Sequence, residues 1–124
     1  MAGPYTVVID RPVAAGGGGR GFSGGELLNL AVAGCVSNDL FREAAGRGIE
    51  LTRVVVTADG GFGGQPAVSA GISYSVEIEG LAAEEELRSL VRYVDESTEI
   101  PNSLRGGTQV RLENAVVGSR PSRP

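Results

Sequence analysis

The chain has 124 residues, 41% of them hydrophobic and 21% charged, with a formal net charge of −4. That length allows one domain with one modest core, and that charge argues against a nucleic-acid surface as its main role. One cysteine and no histidine exclude an intrachain disulfide, Ser-His-Asp and Cys-His catalysis and a histidine-ligated metal. Neither a metal nor another cofactor is expected. No segment approaches the roughly 18 apolar residues of a membrane span. The first residues, MAGPYTVVIDRP, lack the basic region and apolar run of a secretory signal. A lone thiol fits a reducing, cytoplasmic setting.

Residues 5–9 (YTVVI) are rich in β-branched side chains and end at Asp10-Arg11-Pro12, a turn signal; they read as a short strand. Residues 13–23 (VAAGGGGRGFS) form a glycine-rich loop into a helix. Such loops can cradle phosphate. This one lacks the Gly-Lys-Ser/Thr ending of a P-loop and the dinucleotide fingerprint, so it reads as a mobile connector.

The stretch 24–49 (GGELLNLAVAGCVSNDLFREAAGRGI) reads as the longest helix, with Ser23 as N-cap and Gly46 and Gly48 as stop signals. Residues 27–36 are almost wholly apolar or small, and a helix apolar all round must be buried all round. A polar face opens from Ser37 through Asp39, Arg42 and Glu43. Gly34 costs about 1 kcal/mol against alanine inside a helix. Another element, most simply a second helix, is therefore expected to approach there, leaving space for a small ligand beside Cys35. Free buried cysteines are often only small hydrophobes, and a catalytic thiol needs an activating partner that the neighbouring residues do not identify.

Residues 51–58 (LTRVVVTA) read as a strand, 59–67 as a turn, and 68–79 as a second strand. In the second strand Val68, Ala70, Ile72, Tyr74, Val76 and Ile78 alternate with Ser and Glu. One buried and one wet face indicate an antiparallel hairpin. Residues 83–98 read as a second helix with Leu87, Leu90, Val91 and Val94 on one stripe. Its first-turn Glu84, Glu85 and Glu86 suit the helix dipole. Pro101 breaks that helix. Residues 108–117 read as a last strand, closing one domain at 1–117, and the tail 118–124 is expected to be disordered. The order strand, helix, hairpin, helix, strand gives an α+β fold. One thin sheet and one other helix cannot cover an all-apolar helix, so a two-fold homodimer with the cysteine helices packed together is expected.

These features carry a family likeness. The run ELLNLAVAGCVSNDLFREA, the Gly-Ile ending, the valine-rich strand, the alternating strand and the glutamate-rich second helix together resemble the OsmC/Ohr family of osmotically inducible and organic-hydroperoxide-resistance proteins. The likeness spans roughly residues 5 to 113. It implies an intertwined homodimer in which antiparallel sheets wrap long central cysteine-bearing helices. It also implies thiol-dependent reduction of organic hydroperoxides at the subunit interface, with Cys35 as peroxidatic thiol, Arg20 as thiolate stabiliser and Glu26 as the arginine's partner. Arg11 is the other arginine that could serve.

Three departures stand out. The family's second, resolving cysteine lies in a Cys-Pro-Val-Ser-x-x-Leu-like motif. Here residues 97–104 read STEIPNSL, which puts either Ile100 or Thr98 in the cysteine's place. The hydroperoxide-resistance branch has a glutamate ten residues before the cysteine, where this chain has Gly25. Glu26 falls one residue later, about 100° round the helix. The region before the helix is also short. A sulfenic acid at Cys35 would then need an external thiol as reductant. The alternative reading is a non-enzymatic OsmC-like dimer that binds a small apolar ligand at its interface.

Overall fold

Ser23 opens the first helix with a capping box. Its hydroxyl accepts from the Glu26 N–H (3.2 Å) while the Glu26 carboxylate accepts from the Ser23 N–H (2.9 Å), so two orphan donors are met reciprocally. The computed structural model describes residues 2–121. Helix α1 runs Gly24–Gly46 and ends where Gly48 takes φ +69°. There the Ile49 N–H reaches back to the Ala44 carbonyl at 2.8 Å, a closing turn that only a residue at ease with positive φ allows cheaply. Then follow β1 (Leu51–Gly63), β2 (Val68–Gly80), α2 (Glu84–Ser97), α3 (Glu99–Leu104) and β3 (Val110–Ser119).

Strands β1 and β2 pair as an antiparallel hairpin, and β3 joins β2 in parallel, giving the order β1-β2-β3. A parallel partner requires a long crossover, and α2 and α3 supply it. The hairpin is longer than expected: β1 continues through Gly63, leaving only residues 64–67 as the turn.

The core forms where α1 and α2 cover the sheet. Val32, Val36 and Leu40 of α1 meet Ile72, Tyr74, Val76 and Ile78 of β2 and Leu87, Leu90, Val91 and Val94 of α2. The expected stripe of α2 is thus the buried one. Each such side chain contributes about 1.5–3 kcal/mol when fully buried. Val68 and Ala70, on the same face of β2, lie beyond the helices and are exposed.

Three expectations need correction. Residues 5–9 do not form a strand; Ile9 makes one isolated bridge to Phe22, and Tyr5, Val7 and Val8 are exposed. β-branched composition alone cannot form a strand without a neighbouring edge to pair with. The glycine-rich loop is not a mobile connector. Asp10 accepts hydrogen bonds from the N–H groups of Arg11, Gly18 and Arg20, which hold its carboxyl below the usual carboxylate range. A Cβ at Gly17 would stand 2.0 Å from the Arg11 carbonyl oxygen, and one at Gly21 2.2 Å from that of Val8. These glycines permit close backbone packing. Thirdly, the expected tail begins too early. β3 runs to Ser119, and Arg120 continues the order by pairing with Glu79 (2.6 Å) and donating its N–H to Gly80 (2.7 Å). Residues 122–124 lie outside the described residues.

Helix α1 is not buried all round within the chain. Leu30 is 46% and Phe41 52% exposed, Ala31 is exposed, and a Cβ built on Gly34 meets nothing within 4 Å. Residues 27, 30, 31, 34, 38 and 41 share one helix face at i, i+3 and i+4 spacing, and that face is open.

Candidate functional site

Cys35 sits mid-way along α1, half-buried and unbridged. Among the described residues, two side chains reach its sulfur. Thr98 Oγ1 lies 3.3 Å away and Asp39 Oδ2 3.8 Å away. Asp39 is one helical turn beyond Cys35, at the i, i+4 spacing that stacks side chains on one face. Its place in the sequence, at the start of a polar face, predicts a solvated carboxylate, yet only 4% of it is exposed. Its other oxygen, Oδ1, pairs with the Arg42 guanidinium at 3.1 Å.

Thr98 has no exposed surface. It is the non-helical joint between α2 and α3, with φ −67° and ψ 127°. Pro101 explains the break. As third residue of α3 its missing N–H is one that the first turn leaves unpaired in any case, so a new helix can start at Glu99 where the old one could not continue. Thr98 holds the corner with its own backbone: its N–H donates to the Val94 carbonyl and its carbonyl accepts from the Asn102 N–H.

Behind the corner stands a clamp that sequence reading missed. Arg105 donates to the carbonyl oxygens of Asp95 (2.8 Å) and Val110 (2.9 Å), to Asn102 Oδ1 (2.7 Å) and to Asp95 Oδ1 (2.8 Å). Tyr74, buried in β2, donates its hydroxyl to the same Asp95 oxygen. Burial, then the Asp95 carboxylate, pushes the Tyr74 phenol far above its usual range, so it remains a donor. One guanidinium thus ties α2, α3 and the start of β3 together, and α2 to the central strand through Asp95.

Of the residues named from sequence, Cys35 and Thr98 come together; Ile100 faces away and is 39% exposed. Arg20 and Glu26 do not join Cys35. Arg20 is exposed, with its N–H on Asp10, and Glu26 is engaged in its cap. Among the described residues Arg20 makes no ion pair with Glu26 and no hydrogen bond to the sulfur. Arg11 is likewise exposed. Gly25, where the hydroperoxide-resistance branch carries glutamate, lies under an aromatic ring: a Cβ there would be 2.8 Å from Phe62. Among the described residues no group of three or more His, Cys, Asp or Glu side chains could hold a metal ion, and no helix is long and apolar enough to cross a membrane.

The family model for OsmC-like proteins matches residues 16–113. The chain belongs to the OsmC-like family. Among solved structures it is similar to an OsmC-like protein from Mycoplasma pneumoniae, at 18% identity and TM-score 0.79, covering 95% of this chain and 86% of that one. It is also similar to an organic hydroperoxide resistance protein OsmC from Legionella pneumophila, at 20% identity and TM-score 0.69, covering 94% and 85%. A third is the organic hydroperoxide resistance protein OhrB of Bacillus subtilis, at 21% identity and TM-score 0.65, covering 82% and 75%. No curated protein matches the chain significantly. These likenesses support the α+β fold of an OsmC-like protein.

Proposed function

We propose that this OsmC-like protein reduces organic hydroperoxides through Cys35 and is returned to the thiol by an external thiol reductant. The observation that carries the reading is the 3.3 Å contact between Cys35 Sγ and Thr98 Oγ1. Thr98 is one of the two positions where the resemblance sets a resolving cysteine, and it is the one that meets the sulfur. The site keeps the paired geometry of a two-thiol centre with one sulfur replaced by a hydroxyl. A hydroxyl cannot close a disulfide, so the oxidised sulfur must wait for a thiol from outside.

The reaction balances as follows. The Cys35 sulfur attacks the terminal peroxide oxygen, an S–O bond forms and the O–O bond breaks. The alkoxide leaves with the bonding pair and takes up the thiol's proton. Sulfur is oxidised by two electrons to a sulfenic acid while the hydroperoxide is reduced to the alcohol. A first external thiol condenses with the sulfenic acid, releasing water, and a second frees Cys35 and leaves as disulfide.

The working unit in this proposal is a homodimer. The open face of α1, with Leu30, Ala31, Gly34 and Phe41, is the support for it, because monomers rarely leave a contiguous apolar face uncovered. A second copy of the same helix packed across Gly34 would cover that face, through an interface on the order of 2,000 Å².

A second reading is a non-enzymatic dimer binding a small apolar ligand. It is favoured by the capping of Glu26 and by a carboxylate, rather than a guanidinium, beside the sulfur. Treatment with one equivalent of cumene hydroperoxide and then dimedone separates the two. A dimedone adduct on Cys35 is expected for the enzyme; an unmodified thiol would leave the binding reading.

A further inference from the structure

We propose that Asp39 is a catalytic residue of this site: it carries the Cys35 proton to the departing alkoxide. The proposal rests on the reading of Cys35 as the peroxide-reducing thiol. Three observations converge on it. Asp39 Oδ2 accepts from the Cys35 thiol at 3.8 Å. The carboxylate is almost fully buried, and a charge removed from water must be paired or hydrogen-bonded. Its second oxygen is held by Arg42 at 3.1 Å, which fixes which oxygen faces the sulfur.

Proton arithmetic orders the contacts. A thiol has one proton and a carboxylate is the stronger acceptor, so S–H points to Asp39. Thr98, the other neighbour, then donates its hydroxyl to the sulfur. The chain Thr98 O–H, Cys35 S–H, Asp39 carboxylate runs in one direction. As the S–O bond forms, the S–H proton passes to Asp39 Oδ2 and on to the alkoxide oxygen, so neither a free thiolate nor a free alkoxide need accumulate. The device differs from thiolate stabilisation by an arginine, which Arg20 does not provide here.

The charged groups around Asp39 on α1 are Arg42 and Glu43, the latter 4.0 Å from the Arg42 guanidinium. The opposing α2–α3 corner presents the uncharged Thr98; of its charges, Asp95 and Arg105 are paired with each other, and Glu96 and Glu99 are exposed to solvent.

The test measures two reactions of Cys35 between pH 5.5 and 8.5 in the full chain and in Asp39→Asn. Oxidation by cumene hydroperoxide needs a proton delivered to its leaving group; alkylation by iodoacetamide does not. In the wild type, oxidation should change little with pH, whereas alkylation should rise as thiolate forms. In Asp39→Asn, oxidation at pH 6.5 should fall about a hundredfold, the usual weight of a positioned acid–base group. Alkylation should accelerate, because a carboxylate that opposes the thiolate has gone. Opposite movement of the two rates is something a merely structural role does not give. Both rates moving together, or oxidation unchanged, overturns the proposal while leaving Cys35 a peroxidatic thiol. A wild type inert to the hydroperoxide overturns the functional reading itself. If Asp39→Asn does not fold, the wild-type Raman S–H band decides. A band lowered from that of a free thiol supports the contact, and an unshifted band overturns it.

Discussion

Thr98 Oγ1 stands 3.3 Å from Cys35 Sγ, sixty-three residues away in the chain, with no exposed surface of its own. A second sulfur placed at Thr98 should therefore restore an internal resolving partner. Thr98→Cys treated with one equivalent of hydroperoxide should form an intrachain disulfide, read as loss of both thiols in the intact mass. It should resist over-oxidation to sulfinic acid, which the wild type should suffer readily for want of a nearby thiol. Dimedone adducts at wild-type levels would show that the two side chains do not face each other as described.

The corner that carries Thr98 depends on Arg105. Arg105→Ala removes a charge-assisted bond to Asp95 and leaves the Asp95 and Val110 carbonyls without that donor. The expected loss is about 2 kcal/mol of unfolding free energy by urea titration. Tyr74→Phe should cost less, about 1 kcal/mol, because Arg105 still satisfies Asp95. If the two variants are equally stable, Arg105 is not what holds the corner.

The open face of α1 should be covered by a second copy. Ala31 is exposed within the protomer, so Ala31→Glu should fold but fail to associate, or drop out of solution if association is needed for folding. Light scattering at micromolar concentration should give about twice 12.7 kDa for the wild type. A wild-type monomer would refute the dimer.

Much of this was legible in the sequence, and the exceptions share a cause. The stripe Leu87, Leu90, Val91 and Val94 and the alternation from Ile72 to Ile78 were readable because periodicity is local. So was the Ser23 cap. Asp39 was not, because a carboxylate at the start of a polar face reads as solvated until the Thr98 corner, far along the chain, is seen to reach the same sulfur. Residues 5–9 have strand composition, but pairing depends on an edge that the sequence does not specify. The loop after Asp10 has the glycines of a flexible linker. Three N–H groups converging on one carboxylate make it a built structure, and that convergence has no sequence signature.

The loop gives a pH prediction. Asp10 is held below the ordinary carboxylate range, first by the Arg11 N–H, then by those of Arg20 and Gly18. A lowered folded value means the contribution is complete above the ordinary value of about 3.9 and fades as pH falls through the lowered one. The amide resonances of Gly18 and Arg20 should titrate together with a midpoint below that ordinary value. Asp10→Ala should speed tryptic cleavage after Arg20 while leaving the core's Tm within a few degrees, as expected for an exposed site. Unchanged cleavage would mean that the loop is ordered by something else.

The central claim, that Cys35 turns over hydroperoxide with an external thiol, is tested most directly by following cumene hydroperoxide in the presence of excess dithiothreitol. Wild type should consume it catalytically over many equivalents, and Cys35→Ser, close in size, should consume none beyond the background. Equal consumption by the two proteins, or none by the wild type, would contradict the account.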